Sequence, residues 1–159
     1  MQDINNASYE LDYYRRQQFK PGWQNLTDVI FTGIFASADD VDGRDFLRLM
    51  GSHLAEKTPL PDAQTVGELE DGINAVLGHF DWGMVQVEAS EQEIVLTHYA
   101  YPQAPEADNE PMWNLSFATM LEGAYATWLQ AQGGAPHVSL RQSHQSEERT
   151  LVFSYRNGQ

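Results

Sequence analysis

A chain of 159 residues has room for one domain, or for one domain with an arm. It holds no cysteine, which excludes disulfides, thiolate metal sites and a cysteine nucleophile. Nine Lys and Arg stand against 23 Asp and Glu, a formal net charge of -14, so nucleic-acid backbones and anionic membrane surfaces are disfavoured partners.

The segment 1–22 reads as an N-terminal arm, and 23–159 as a single domain. Tyr9, Leu11, Tyr13 and Tyr14 sit among Asn, Gln, Asp and Arg, and Pro21-Gly22 closes the arm with a turn signal. Such an arm either folds back on its own domain or docks on a neighbouring copy. The first residues lack a basic stretch followed by an apolar one, so no signal peptide is read there. The longest apolar run, Val29 to Ala38, is interrupted by Thr32, Gly33 and Ser37 and is too short to enter a bilayer as a span. Direct membrane insertion is not expected.

From Gln24 to about Ala36 the spacing predicts a helix whose stripe is Leu26, Val29, Ile30, Gly33 and Ile34. A second helix starts near Asp39 or Asp40, turns Val41, Phe46, Leu47, Met50 and Leu54 inward, and stops before Pro59. Thr65 and Glu68 have capping-box spacing, and Val66, Leu69, Ile73, Val76, Leu77 and Phe80 carry a third helix. The period then changes to alternation. Residues 82–88 and 93–99 read as a hairpin. The Pro-rich acidic stretch from Pro102 to Pro111 reads as a mobile loop. A long helix from about Met112 to Gln132, stopped by Gly133-Gly134, bears the aromatic stripe Trp113, Phe117, Tyr125 and Trp128, with Met120, Leu121, Ala124 and Leu129. Strands around 137–142 and 150–156 close the chain. The order fits an α+β fold, with helices packed on a small antiparallel sheet.

No catalytic or ligand constellation stands out. The five histidines, His53, His79, His98, His137 and His144, have no paired ligand spacing, so no metal is expected. Asp39-Asp40-Val41-Asp42-Gly43 begins like a calcium loop, but in that register the first ligand position is Ala38, which cannot coordinate. No Gly-rich phosphate loop or nucleophile elbow is present, and no cofactor is implied. Glu122, inside the aromatic helix, is the one acid with a buried address; it reads either as a structural acceptor or as a glycosidase acid. The aromatic stripe is first of all core. Its width exceeds what one small sheet can cover, so Trp113, Phe117, Tyr125 and Trp128 are also candidates for a self-association face, where Gly123 and Ala126 would permit close helix approach.

Several runs in fixed order carry a resemblance. Gln64-Thr65-Val66, Leu69, Asn74-Ala75, Leu77 and Trp82-Gly83 are followed by Leu121-Glu122-Gly123-Ala124-Tyr125, Trp128, Gln130-Ala131-Gln132-Gly133-Gly134 and Val138-Ser139-Leu140. Together they resemble the bacterial cellulose synthase operon protein D family, the D subunits of cellulose synthase, over roughly Asp42 to Arg156. The resemblance implies a non-enzymatic accessory protein whose dimers assemble into an octameric cylinder. Its passages guide nascent β-1,4-glucan chains toward crystalline cellulose, and other cellulose synthase complex subunits are its partners. The resemblance implies a place beside the inner-membrane synthase and passages lined by the N-terminal segment; the missing signal peptide makes the cytoplasm the expected compartment, with the periplasm as the alternative. By position, Tyr13, Tyr14, Arg15 and Phe19 are then the glucan-passage candidates. Sugar faces stack on aromatic rings, and a neutral glucan is not repelled by an acidic protein. Two other classes compete: an acidic dimeric secretion chaperone that binds an extended polypeptide, and a glycosidase.

Overall fold

The computed structural model describes residues 10, 13, 20–133, 140–142 and 150–156. Helix α1 spans Pro21–Ser37, α2 Asp40–Lys57, α3 Val66–Phe80 and α4 Glu110–Ala131. Strands β1 (Met84–Ala89) and β2 (Glu93–Tyr99) precede α4; β3 (Leu140–Gln142) and β4 (Thr150–Arg156) follow it. The sheet order is β1-β2-β4-β3 and every neighbouring pair is antiparallel. The fold is α+β, as the pattern of periods predicts. The expected start of β3 at residue 137 and the stop at Gly134 lie outside the described residues.

Three helix starts follow from local chemistry. Asp39 caps α2 by accepting from the Asp42 N–H at 2.8 Å. Thr65 caps α3 by accepting from the Glu68 N–H at 3.1 Å, and the Glu68 carboxylate reaches back to the Gln64 N–H at 2.6 Å. Pro21 is not a turn outside the first helix but its first residue, a position where the missing N–H costs nothing. At the other end of α3, Asp81 adopts a left-handed conformation and the Trp82 N–H bonds the Leu77 carbonyl at 2.9 Å, which turns the chain into β1. Gly83 is required in that turn. Its φ is 91°, and a Cβ there would lie 2.0 Å from the Tyr99 carbonyl oxygen.

The sheet has one packed face. Val85 and Val87 of β1 register with His98 and Leu96 of β2, which register with Leu151 and Phe153 of β4. All six are buried and, with Tyr155 and Leu140, form the floor on which α4 lies. The edge strand β1 is not left open. The Asn74 side chain accepts from the Val85 N–H at 2.7 Å and donates to the Val85 carbonyl at 3.0 Å, and Glu70 accepts from the Val87 N–H at 2.9 Å. Helix α3 thus supplies the bonds a further strand would make.

Helix α4 is buried nearly all round, because α2 covers the side that the sheet does not. The inward line of α2 is Gly43, Leu47, Gly51 and Ala55, four apart and small at every position but Leu47. Two glycines set the crossing. A Cβ on Gly51 would lie 1.8 Å from the Met120 carbonyl oxygen, and one on Gly123 would lie 1.9 Å from that of Arg48. The backbones are in contact. Close helix approach does occur at the expected Gly123, but its partner is α2 of the same chain and not a second copy. Arg48 closes the crossing with a 2.9 Å bond from Nε to Glu122.

Gly51→Ala and Gly123→Ala should therefore each destabilise the fold by roughly 3 kcal/mol, the upper part of the overpacking range. Gly33→Ala, on the open side of α1 with nothing within 4 Å, should instead stabilise by about 0.5–1 kcal/mol. Urea denaturation of the three variants checks both signs.

Candidate assembly surface

The groups that suggested chemistry are occupied by the fold. Glu122 accepts from Arg48 through one carboxylate oxygen and from the Gln142 N–H through the other, at 3.2 Å, so it ties α2 and β3 to α4. Asp39 is a helix cap, and among the described residues no cluster of His, Asp and Glu could hold a metal ion.

His98 is fully buried on the sheet's inner face. Its Nε2 lies 2.6 Å from the Trp82 carbonyl, which can only accept, so Nε2 carries the proton. Nδ1 then accepts from the Tyr125 hydroxyl at 2.5 Å. Burial holds the His98 pKa down to about 4 and pushes that of Tyr125 well above its ordinary value. The ring is neutral and its two nitrogens are both engaged, one bond to the α3–β1 turn and one to α4.

The four aromatic residues expected at a self-association face are inside the fold. Trp113, Phe117, Tyr125 and Trp128 are each at most 3% exposed. Trp113 meets Phe31 edge-on at 5.4 Å and donates to the Pro102 carbonyl at 2.7 Å. Phe117 meets Trp82 at 5.0 Å, Tyr125 meets Phe153 at 5.2 Å, and Trp128 donates to the Thr58 carbonyl at 2.9 Å. The apolar surplus of this helix is covered by α1, α2 and the residues before it, not by a second copy.

The exposed apolar surface lies on α1. Its predicted stripe faces out: Val29 is 67% exposed, Leu26 and Ile30 50% each, and Gly33 is exposed too, while only Ile34 leans inward; Trp23, 75% exposed, lies on the same side. The inner side is a mixed line of Gln24, Asp28, Phe31 and Phe35. Gln24 also accepts from the Lys20 N–H and donates to the Gln103 carbonyl at 2.9 Å, and Asn109 donates to Asp28 at 2.6 Å and to Thr32 at 3.0 Å. These bonds fix the rotation of α1. They also hold the 102–111 stretch, which contains a short 3₁₀ turn at Ala107–Asn109 and is bound to α1 and α4, contrary to the mobility its composition predicts. On α2, Val41, Phe46 and Leu49 are likewise about half or more exposed, whereas the spacing places Val41 and Phe46 inside. An apolar stripe reads the same whether it faces a core or a partner; the signal that separates the two is the polar line at Gln24 and Asp28.

Of the passage candidates, Tyr13 is exposed; Tyr14, Arg15 and Phe19 lie outside the described residues. Among the described residues no helix is long and apolar enough to cross a membrane.

The comparisons with known proteins agree on one family. The family model for the D subunit of cellulose synthase matches residues 9–156. Two proteins of Komagataeibacter xylinus described as "Cellulose synthase operon protein D" are 37% and 34% identical to this chain, and one from Komagataeibacter sucrofermentans is 34% identical. Each alignment runs over 93 residues, 57% of this chain, and so spans 58% of the length of the curated relative.

The His98 junction makes the fold pH-sensitive in a defined direction. Its folded pKa of about 4 lies below the ordinary 6.5, so protons bind the unfolded chain more tightly. The contribution is complete above pH 6.5 and is withdrawn as pH falls toward 4. The span corresponds to at most about 3 kcal/mol. His98→Gln should lower stability at pH 7 yet lose about that much less between pH 7 and pH 4, read as the difference between urea midpoints of variant and wild type.

Proposed function

Because the chain belongs to the cellulose synthase operon protein D family, we propose that it is a non-enzymatic accessory subunit that assembles with itself and guides β-1,4-glucan chains beside the membrane-bound synthase. The observation that carries this reading is the outward apolar face of α1. It is held in place by part-buried polar bonds to the 102–111 stretch, so its exposure is part of the fold and not a loose end. Monomeric proteins rarely keep such a face in water.

The energetics favour a closed assembly over an isolated pair. A half-exposed Leu, Ile, Val or Trp side chain gains roughly 1 kcal/mol or more when a partner covers it. Four such residues from each of two copies supply on the order of 8 kcal/mol, which the entropy of association largely offsets. A stable particle then needs more than one contact per copy, as an octameric cylinder built from dimers provides. Cytoplasmic action at the inner membrane and contact with other synthase subunits belong to the same reading.

For glucan, the role falls to the arm, where Tyr13, Tyr14, Arg15 and Phe19 supply aromatic faces and a hydrogen-bond donor. Such a passage must hold a moving polymer weakly and repeatedly, because a tight site would stall it.

Light scattering at micromolar concentration should find a particle of about eight copies, and Ile30→Asp should reduce it to smaller species with an unchanged circular dichroism spectrum. A wild-type monomer, or an Ile30→Asp variant that assembles normally, counts against the reading. Tyr13→Ala/Tyr14→Ala should keep the particle's mass but lower the crystalline fraction of cellulose made by cells carrying it, measured by X-ray diffraction of the product.

A further inference from the structure

The outer line of α2 is different in kind from that of α1. Asp42, Asp45, Phe46 and Leu49 stand at i, i+3, i+4 and i+7, so they share one face, and all four are exposed. Two carboxylates lie at one end of that face and two apolar side chains at the other. The surroundings leave it negative. Between residues 39 and 49 there are four acids and two arginines, and both arginines are engaged: Arg44 with Asp40 at 3.1 Å, Arg48 with Asp45 at 3.3 Å and with Glu122 at 2.9 Å. Asp42 has no basic partner among the described residues.

This face does not suit its own copy. Two α2 faces brought together would oppose like charges, on a chain that already carries -14. It calls for a segment that carries positive charge beside apolar side chains. The chain holds one such segment. Residues 13–20, Tyr-Tyr-Arg-Arg-Gln-Gln-Phe-Lys, contain three of the nine basic residues and no acid, and they carry three aromatic rings. No other eight-residue stretch of the sequence is comparably basic.

We infer that the α2 face of one copy receives the basic, aromatic segment 13–20 of a neighbouring copy, Arg16 and Lys20 answering Asp42 and Asp45 while Phe19 covers Phe46 and Leu49. This rests on the self-assembly reading above and adds to it a second, heterologous contact, distinct from the α1 face. A contact between different patches of two copies propagates from copy to copy and builds a ring when its rotation closes. It also gives the arm a fixed anchor over residues 16–20 and takes Phe19 out of the glucan passage, leaving Tyr13, Tyr14 and Arg15 to that role. Salt should weaken this contact, since it joins exposed opposite charges.

Charge exchange tests it. Arg16→Glu/Lys20→Glu and Asp42→Lys/Asp45→Lys, each in the full chain, should raise the protein concentration needed for assembly at least tenfold by light scattering at low salt. An equimolar mixture of the two variants should recover assembly at wild-type concentrations, because each then meets a complementary charge on the other. Both variants assembling as wild type, or a mixture no better than its components, overturns the inference. Ile30→Asp separates the two levels. If it disrupts assembly while the charge variants do not, self-assembly through α1 stands and the arm contact falls.

Discussion

Much of this fold rests on two glycines that let two helix backbones touch. With Gly51 under Met120 and Gly123 under Arg48, α2 sits on α4 at a distance that no other residue pair permits. The consequences follow outward. Arg48 reaches Glu122 because the helices are this close, and the other oxygen of Glu122 reaches the Gln142 N–H, so the helix crossing is tied to the short strand β3. The Ser52 hydroxyl donates to the Gly123 carbonyl at 3.3 Å beside the same point. With α2 this near on one side and the sheet on the other, α4 keeps fully exposed residues only at its two ends.

That constraint explains which parts of the chain are legible in the sequence. The helices and strands can be read because apolar spacing changes from 3.6 to 2 where the fold changes, and because Thr65, Asp39 and Gly133 punctuate it. What periodicity cannot give is the partner of an apolar face. The α4 stripe is too wide for a small sheet, as its spacing suggests; the excess faces α2, whose inward line of Gly43, Leu47, Gly51 and Ala55 carries too little side chain to announce itself. The α1 stripe reads like ordinary core and is largely exposed, because the side chains that turn it, Gln24 and Asp28, bond to carbonyl and amide groups 79 and 81 residues away. Contacts of that separation leave no local pattern.

The residues that carry the family resemblance are informative in the same way. Gly83, Glu122, Gly123 and Tyr125 are a close turn, a clamp, a crossing and a buried hydroxyl on His98. They describe how the chain is packed. Each of the four is engaged within the chain, by close backbone approach or by hydrogen bonds.

With the interior packed in this way, contact with a partner falls to the surface, which offers few routes. The β1 edge is closed by Asn74 and Glu70, which removes at that edge the simplest way for a sheet protein to grow without limit. What is open is helical: an apolar face on α1 and an acidic, partly apolar face on α2. Two unlike faces on one rigid body impose an angle between successive copies, and a fixed angle that divides the circle gives a finite particle. On the self-assembly proposed above, a packed interior, one closed sheet edge and two unlike helical faces, one apolar and one acidic, would set a particle of definite size while leaving the core of each copy unchanged.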